Sequence, residues 1–281
     1  MRTGGQMEIS HIAVKGNNGI KRIAVAADLH NSSYQRIMRS LDSERPDYIA
    51  IPGDILYARG KNGSIYDYDP HSGQHLRNAN NTIAFLKEAA QIAPVIFSTG
   101  NHELYLDDED KALLFDIGVC FLDDAYQQFG DLVFGGLSSP YKIFAGTGTG
   151  HTKAERKRRW EMVFENVSTG WLDEFEKQEG YKILLCHHPE FYEPFLKDRE
   201  GIDLILSGHA HGGQIRLFGR GLYAYGQGFF PKYTKGIHDG KLIVSAGLAN
   251  TSKIPRIGNP TELVYVALIP KQNETEYQCV Y

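Results

Sequence analysis

The stretch Leu204-Ile205-Leu206-Ser207-Gly208-His209-Ala210-His211-Gly212-Gly213-Gln214 ends a short apolar run in glycine and then presents two histidines one residue apart. The run is long enough for a buried strand and too short for a helix. The flanking glycines argue against a helix through the histidines. On a loop, imidazoles at i and i+2 can aim in different directions, which suits two neighbouring metal ions better than one. A glycine-rich turn with two solvated histidines would read the same, so the stretch alone decides nothing. The arrangement recurs, however. Residues 23–27 run into Asp28-Leu29-His30, residues 48–52 into Gly53-Asp54, residues 95–99 into Gly100-Asn101-His102-Glu103, and residues 182–186 into His187-His188. Five apolar runs each end in a hard or borderline metal ligand. In α/β sheets, ligands gather at the carboxyl ends of the strands. Five unrelated surface turns are a poor explanation for the coincidence, and a metal site is predicted.

The elements that must position these side chains follow from periodicity and punctuation. Residues 7–14 alternate as a first strand, Gly16-Asn17-Asn18-Gly19 is a hairpin turn signal, and 22–27 return as a central strand. Ser32-x-x-Gln35 is a capping-box pattern that would open a helix carrying Ile37, Met38 and Leu41 inward, ended by Pro46. Residues 57–75 form a long glycine- and tyrosine-bearing loop after a ligand-bearing strand, of the kind that is functional or disordered. Helices are expected near 76–91, after the acidic run Asp107–Asp110, after the capping box at Thr152-x-x-Glu155, and at 170–178 and 190–197. Strands at 132–137 and 182–186 accompany them. Strands at 214–218, 241–246, 262–268 and 276–280 suggest an antiparallel second half.

The 281 residues have an ordinary globular balance, 42% hydrophobic and 23% charged. One domain over 1–281 is the default for this length. The net charge of −4 argues against a general nucleic-acid binder. Three widely spaced cysteines form no disulfide framework and no zinc ribbon, which points to a reducing compartment. No run reaches membrane-span length, and Met1–Ser10 carries no signal-peptide pattern, so a cytoplasmic location is expected.

Asp28-x-His30, Gly53-Asp54, Gly100-Asn101-His102-Glu103, His187 and Gly208-His209-x-His211 resemble, in order and spacing, the signature of the calcineurin-like metallophosphoesterases. His211-Gly212-Gly213-Gln214-Ile215, with the later Pro255-Arg256-Ile257, is similar to the stand-alone bacterial branch of that superfamily. The resemblance implies a four-layer α/β/β/α sandwich of two mixed sheets with a dinuclear metal site at the strand ends. It implies that Asp28, His30 and His211 hold one metal, that Asn101, His187 and His209 hold the other, and that Asp54 bridges both. His102 would stand beside the metals without ligating them and act as the catalytic acid. Imidazole, carboxylate and amide ligands suit two divalent or transition-metal ions, Mn first and Fe or Zn as alternatives. A metal-bridging hydroxide would then attack a phosphodiester or pyrophosphate-type bond of a small molecule. A phosphomonoesterase, a protein phosphatase and a nuclease are the enzymatic alternatives. A metal-binding scaffold is the non-enzymatic one, disfavoured by the complete ligand set.

Other residues invite weaker readings. Tyr57 makes the pattern Gly53-Asp54-x-x-Tyr57 of the purple acid phosphatases, but with His30 present it reads as a wall residue. Cys186 lies inside an apolar run, where a thiol is inert. His188 should point away from the metals. Glu103 reads as a loop-supporting acceptor rather than a base. The basic run Lys153, Arg156, Lys157, Arg158 and Arg159 could meet phosphate or an anionic membrane surface, or simply face water. The aromatic segment with Phe218, Tyr223, Tyr225, Phe229, Phe230 and Tyr233 could line a substrate groove or pack as a hairpin on a sheet edge.

Overall fold

The computed structural model describes residues 7–17, 19–57, 66, 68–69, 71–147, 153–252 and 254–270. The expected strand at 276–280, Thr152 of the second capping box and most of the 57–70 loop lie outside the described residues.

Two mixed six-stranded sheets form the centre. The first has the order β1 (Glu8–Asn17), β16 (Glu262–Pro270), β2 (Lys21–Val25), β3 (Tyr48–Ile51), β4 (Val95–Phe97) and β5 (Val119–Phe121). The second has the order β14 (Gly236–His238), β15 (Leu242–Val244), β9 (Leu204–Ser207), β8 (Tyr181–Cys186), β7 (Leu132–Leu137) and β6 (Ala125–Phe129). Strand alternation sorts side chains into three apolar layers. Ile23 and Val25 of β2 meet Leu204 and Leu206 of β9 between the sheets, together with Phe134, Ile183 and Val266. Ala24, Ile49 and Phe97 face the other way, onto α1 (Gln35–Glu44), α2 (Asn80–Ala89) and α3 (Asp108–Ile117) through Leu41, Phe85 and Leu114. Ile205, Leu184 and Val244 cover the opposite outer face with α4 (Lys153–Glu165) and α5 (Leu172–Glu176) through Val163 and Phe175. These layers make the expected α/β/β/α sandwich.

The antiparallel second half does not form. β15 joins the second sheet parallel to β9, while β16 enters the first sheet, parallel to β1 and antiparallel to β2. β1 and β2 therefore never pair, and the turn near Gly16 spans a slot filled by β16. Among the segments expected as strands, 214–218 shortens to a two-residue ribbon, β10 (Arg216–Leu217) against β11 (Arg220–Gly221). A second ribbon pairs β12 (Tyr223–Ala224) with β13 (Gly228–Phe229).

Helix starts differ where a ligand loop makes its own demands. α1 begins at Gln35 behind Tyr34, with no side-chain cap. The Ser32 N–H is spent on the Leu29 carbonyl, closing the turn whose central residues are the left-handed His30 and Asn31. The acidic run behaves as expected: the Asp107 side chain accepts from the Asp110 N–H and caps α3. Residues 76–91 divide into a 3-10 turn, Leu76–Asn78, and α2. The helix expected at 190–197 is a 3-10 turn, Pro189–Phe191, and a π turn, Tyr192–Leu196. Pro189 and Pro194 have no N–H to sustain a regular helix there.

Candidate metal centre

β2, β3 and β4 run parallel, as do β8 and β9, so their carboxyl ends collect the candidate side chains at one edge of the sandwich. Backbone bonds tie the loops together. Asp28 N–H donates to Gly53 O, His30 N–H to Asp54 O, and Gly208 N–H to His187 O. Gly53 (φ +106°) allows a close approach: a Cβ there would meet Gly100 N at 2.6 Å and His187 Nδ1 at 2.7 Å. Asp28, His30, Asp54, His209 and His211 all adopt left-handed φ between 46° and 65°. This conformation is uncommon for non-glycine residues and concentrates at functional sites.

Two adjoining groups of donor atoms result, and His30, Asp54 and His102 form a third between them. Asp28, His30 and His211 form one, with ligand-type atoms within 4.8 Å of one another. Asp54, His187 and His209 form the second. Asp54 Oδ2 lies 3.8 Å from His30 Nε2 and 3.2 Å from His187 Nε2, between the two groups. Asn101 Oδ1 and His209 Nδ1 each lie 3.2 Å from that same His187 nitrogen. Donor atoms about 3 Å apart have the spacing that metal–ligand bonds of about 2.1 Å impose. His30 donates Nδ1–H to Leu56 O at 3.0 Å, and His187 donates Nδ1–H to Pro52 O at 2.9 Å. These bonds leave both Nε2 atoms facing the centre. His30 Nε2 is fully buried without a hydrogen bond. The nitrogen and oxygen donors, and this orphaned atom in particular, fit a pair of divalent ions.

His102 flanks both groups. Its N–H donates to Asp54 Oδ1 at 2.8 Å, and its Nε2 stands 4.0 Å from Asp54 Oδ2. Its ring meets His30 edge-on at 4.6 Å and stacks against Tyr57 at 6.1 Å. Tyr57 thus walls the site. Glu103 is buried and accepts from Asp54 N at 2.8 Å, Gly100 N at 2.7 Å and Leu56 N at 2.9 Å, the loop-supporting position expected of it. Burial and the Asp54 charge raise its pKa to about 8, against those three donors.

The electrostatics match a metal-binding cluster. Burial would raise the pKa of Asp54, but His187, His102 and His30 hold it well below the carboxylate range. Burial, with the Asp54 charge, lifts Asp28 to about 7. Burial keeps His30 and His209 well below the usual imidazole value, and burial with the Arg256 charge brings His211 down to about 3. His187 alone goes up, to about 9, because Asp54 and Asp28 outweigh its burial. Its proton occupies a position that a cation could take.

Two residues emerge that spacing did not reveal. Arg256 Nη2 lies 3.0 Å from His211 Nδ1 and donates to Ala246 O and Ala249 O, both at 2.7 Å, fixing the outer side of His211. Half-buried Glu190 accepts from His188 Nδ1 at 3.2 Å, and its Oε1 is 3.5 Å from His209 Nε2. His188 in turn meets Ser139 Oγ at 2.8 Å. His188 therefore supports the back of His209 and points away from the metal centre. Arg256 was visible only as part of the Pro255-Arg256-Ile257 pattern. Glu190 follows a proline in an irregular segment and carried no signal. Cys186 is buried, and burial raises its thiol pKa.

Comparisons with known proteins agree with this architecture. Residues 21–213 match the family model for calcineurin-like phosphoesterases. YpbG, an uncharacterized protein of Bacillus subtilis, is 38% identical over 111 residues, which cover 39% of this chain and 38% of that protein. An uncharacterized metallophosphoesterase of Campylobacter jejuni is 26% identical over 89% of this chain and 58% of its own length. A transmembrane protein with metallophosphoesterase domain from Danio rerio is 27% identical over 70% of this chain and 41% of its own length. The chain thus spans about half the length, or less, of these relatives. The family match covers every strand end that carries a candidate ligand, and the chain belongs to the calcineurin-like phosphoesterases.

Proposed function

We propose that the protein is a metal-dependent phosphoester hydrolase. The observation that carries this reading is the convergence of four imidazoles, Asp28, Asp54 and Asn101 on two adjoining points, with two of the imidazoles aimed by backbone carbonyls. Asp28, His30 and His211 would hold one ion; Asn101, His187 and His209 would hold the other; and Asp54 would serve both. Two ions so held supply Lewis-acid neutralisation of a phosphoryl group and make water acidic enough to yield a nucleophile near neutral pH. His102, beside Asp54 at the mouth of the centre, would give a proton to the departing ester oxygen. Arg256 orients His211, and the Glu190 carboxylate stands beside His209 Nε2 at 3.5 Å.

The ligand chemistry favours Mn, then Fe or Zn. The preferred bond is a phosphodiester or pyrophosphate of a small molecule, because the ligand loops carry, among the described residues, no pair of cations to hold a fully charged monoester. A nucleic-acid substrate is disfavoured by the net charge of −4. A cytoplasmic location is proposed from cysteine usage. Lys157 and Arg158 of α4 are exposed, and an anionic membrane surface could meet them there. No helix among the described residues is long and apolar enough to cross a membrane.

The test begins with elemental analysis of protein purified without chelator, where close to two transition-metal ions per chain are expected. Matched mono- and diesters are then compared at one pH and one metal. No metal and no activity after Mn²⁺ addition would defeat the reading. A higher kcat/KM on monoesters would replace the diester preference with a phosphomonoesterase.

A further inference from the structure

Beside the candidate metal centre, β12 and helix α4 wall a cavity of about 380 Å³. Tyr66, Tyr141, Trp160, Tyr223 and Tyr225 line it, and Arg159 is the one charged lining residue among the described residues. The cavity adjoins the metal ligands directly. The Tyr225 ring meets His209 edge-on at 5.6 Å, and Tyr141 stacks on His188 at 5.2 Å. Its floor is set by Gly226 (φ +84°), where a Cβ would strike Glu190 Oε1 at 2.3 Å and the Trp160 ring at 2.9 Å.

We propose that this cavity is the subsite for the organic group of the substrate, and that it takes a planar ring bearing hydrogen-bond acceptors, as in a nucleoside. The inference rests on the phosphoesterase reading for its placement, since a group attached to phosphorus at the metals would enter beside Tyr225. The ring preference has its own grounds. Tyr223 and Tyr225 are exposed, so they offer open aromatic faces toward the cavity mouth. The Tyr225 hydroxyl pairs with those of Tyr66 and Tyr141, and Tyr66 also bonds to Arg159, so the polar ends satisfy one another and the ring surfaces remain for stacking. The Arg159 guanidinium stands 4.5 Å over the Tyr66 ring. Its planar N–H fork suits acceptors on a ring edge and has no use for an alkyl chain. The volume suits one small-molecule group and is too small for a polymer.

The experiment measures affinities of Mn²⁺-loaded protein for thymidine 5′-monophosphate, methyl phosphate and octyl phosphate, three monoesters that share the phosphate. Stacking of one base predicts that the nucleotide binds about 5- to 150-fold more tightly than methyl phosphate. Trp160→Ala and, independently, the surface change Tyr223→Ala should each remove most of that gap. In Trp171→Phe protein Trp160 is the remaining indole, so the nucleotide should quench its emission saturably. Equal affinity for nucleotide and methyl phosphate, or a gap that survives both substitutions, overturns the proposal. Tighter binding of octyl phosphate than of the nucleotide overturns the ring preference and assigns the cavity to an acyl or alkyl chain. Failure of the phosphoesterase reading would show separately, as absent turnover of every ester, and leaves these affinities to decide the subsite.

Discussion

At the scale of single residues, metal binding and proton transfer separate on Asp54 and His102. Asp54 lies within reach of both groups of ligands, so Asp54→Asn should lower metal content and activity together. His102 contacts Asp54 chiefly through its backbone N–H, so His102→Ala should keep both ions while kcat falls by about 10²–10⁴-fold, the usual range for a general acid. The deficit should shrink for nitrophenolate esters, whose leaving groups need little protonation. An emptied site would make His102 a ligand, and an equal loss on good and poor leaving groups would reassign it to phosphate positioning. The ligands also fix a pH dependence. In the metal-free protein His187 titrates at about 9 and Asp28 at about 7, both raised. Below its pKa each holds a proton that a metal must displace. Mn²⁺ affinity should therefore rise with pH, about tenfold per unit from 7 to 9 and more steeply below 7, and level off above 9. Titration calorimetry in buffers of different ionisation enthalpy reads both the affinity and the protons released. A pH-independent affinity would contradict the assignment.

Among elements, the ligand-bearing strand ends were legible because each joins a continuous apolar run to a polar, glycine-marked turn. Legibility failed where long-range pairing decides. The turn near Gly16 looks local, yet β16 fills the slot it spans. Ser32 has the right spacing for a cap, but its backbone closes the left-handed turn at His30. The aromatic segment divides three ways. Tyr223 and Tyr225 line a cavity, Tyr233 is buried, and Phe218, Phe229 and Phe230 face solvent. Period and composition treat those residues alike, and only the surrounding ribbons distinguish them. The close approach at Gly53 gives an element-scale prediction. Gly53→Ala would strain a left-handed backbone and push on His187 and Gly100. A loss of about 1–3 kcal/mol is expected in urea unfolding, with lower metal content. An unchanged midpoint would show that the loop relaxes freely.

For the whole molecule, the family match ends at residue 213, but the sandwich does not. β14, β15 and β16 lie beyond that point, and Arg256 reaches back to His211 from the same region. A chain cut after Gly213 would retain every candidate ligand and lose the strand between β1 and β2 and the neighbour of β9. It should fail to give a cooperative thermal transition by circular dichroism. A cooperative transition in that fragment would mean that the later strands decorate a self-sufficient core.

The insertion of β16 also sets an order of events in time. As the chain leaves the ribosome, β1 and β2 exist long before the strand that must separate them. Until Glu262–Pro270 arrives, both display unpaired edges, which invite association with other chains. Glu8 and Lys15 on β1, with Lys21 and Arg22 on β2, place charges along those waiting edges, where they discourage premature pairing. Closing so distant a contact is slow compared with forming local turns. The first sheet can therefore close only once Glu262–Pro270 has been made and has entered between β1 and β2.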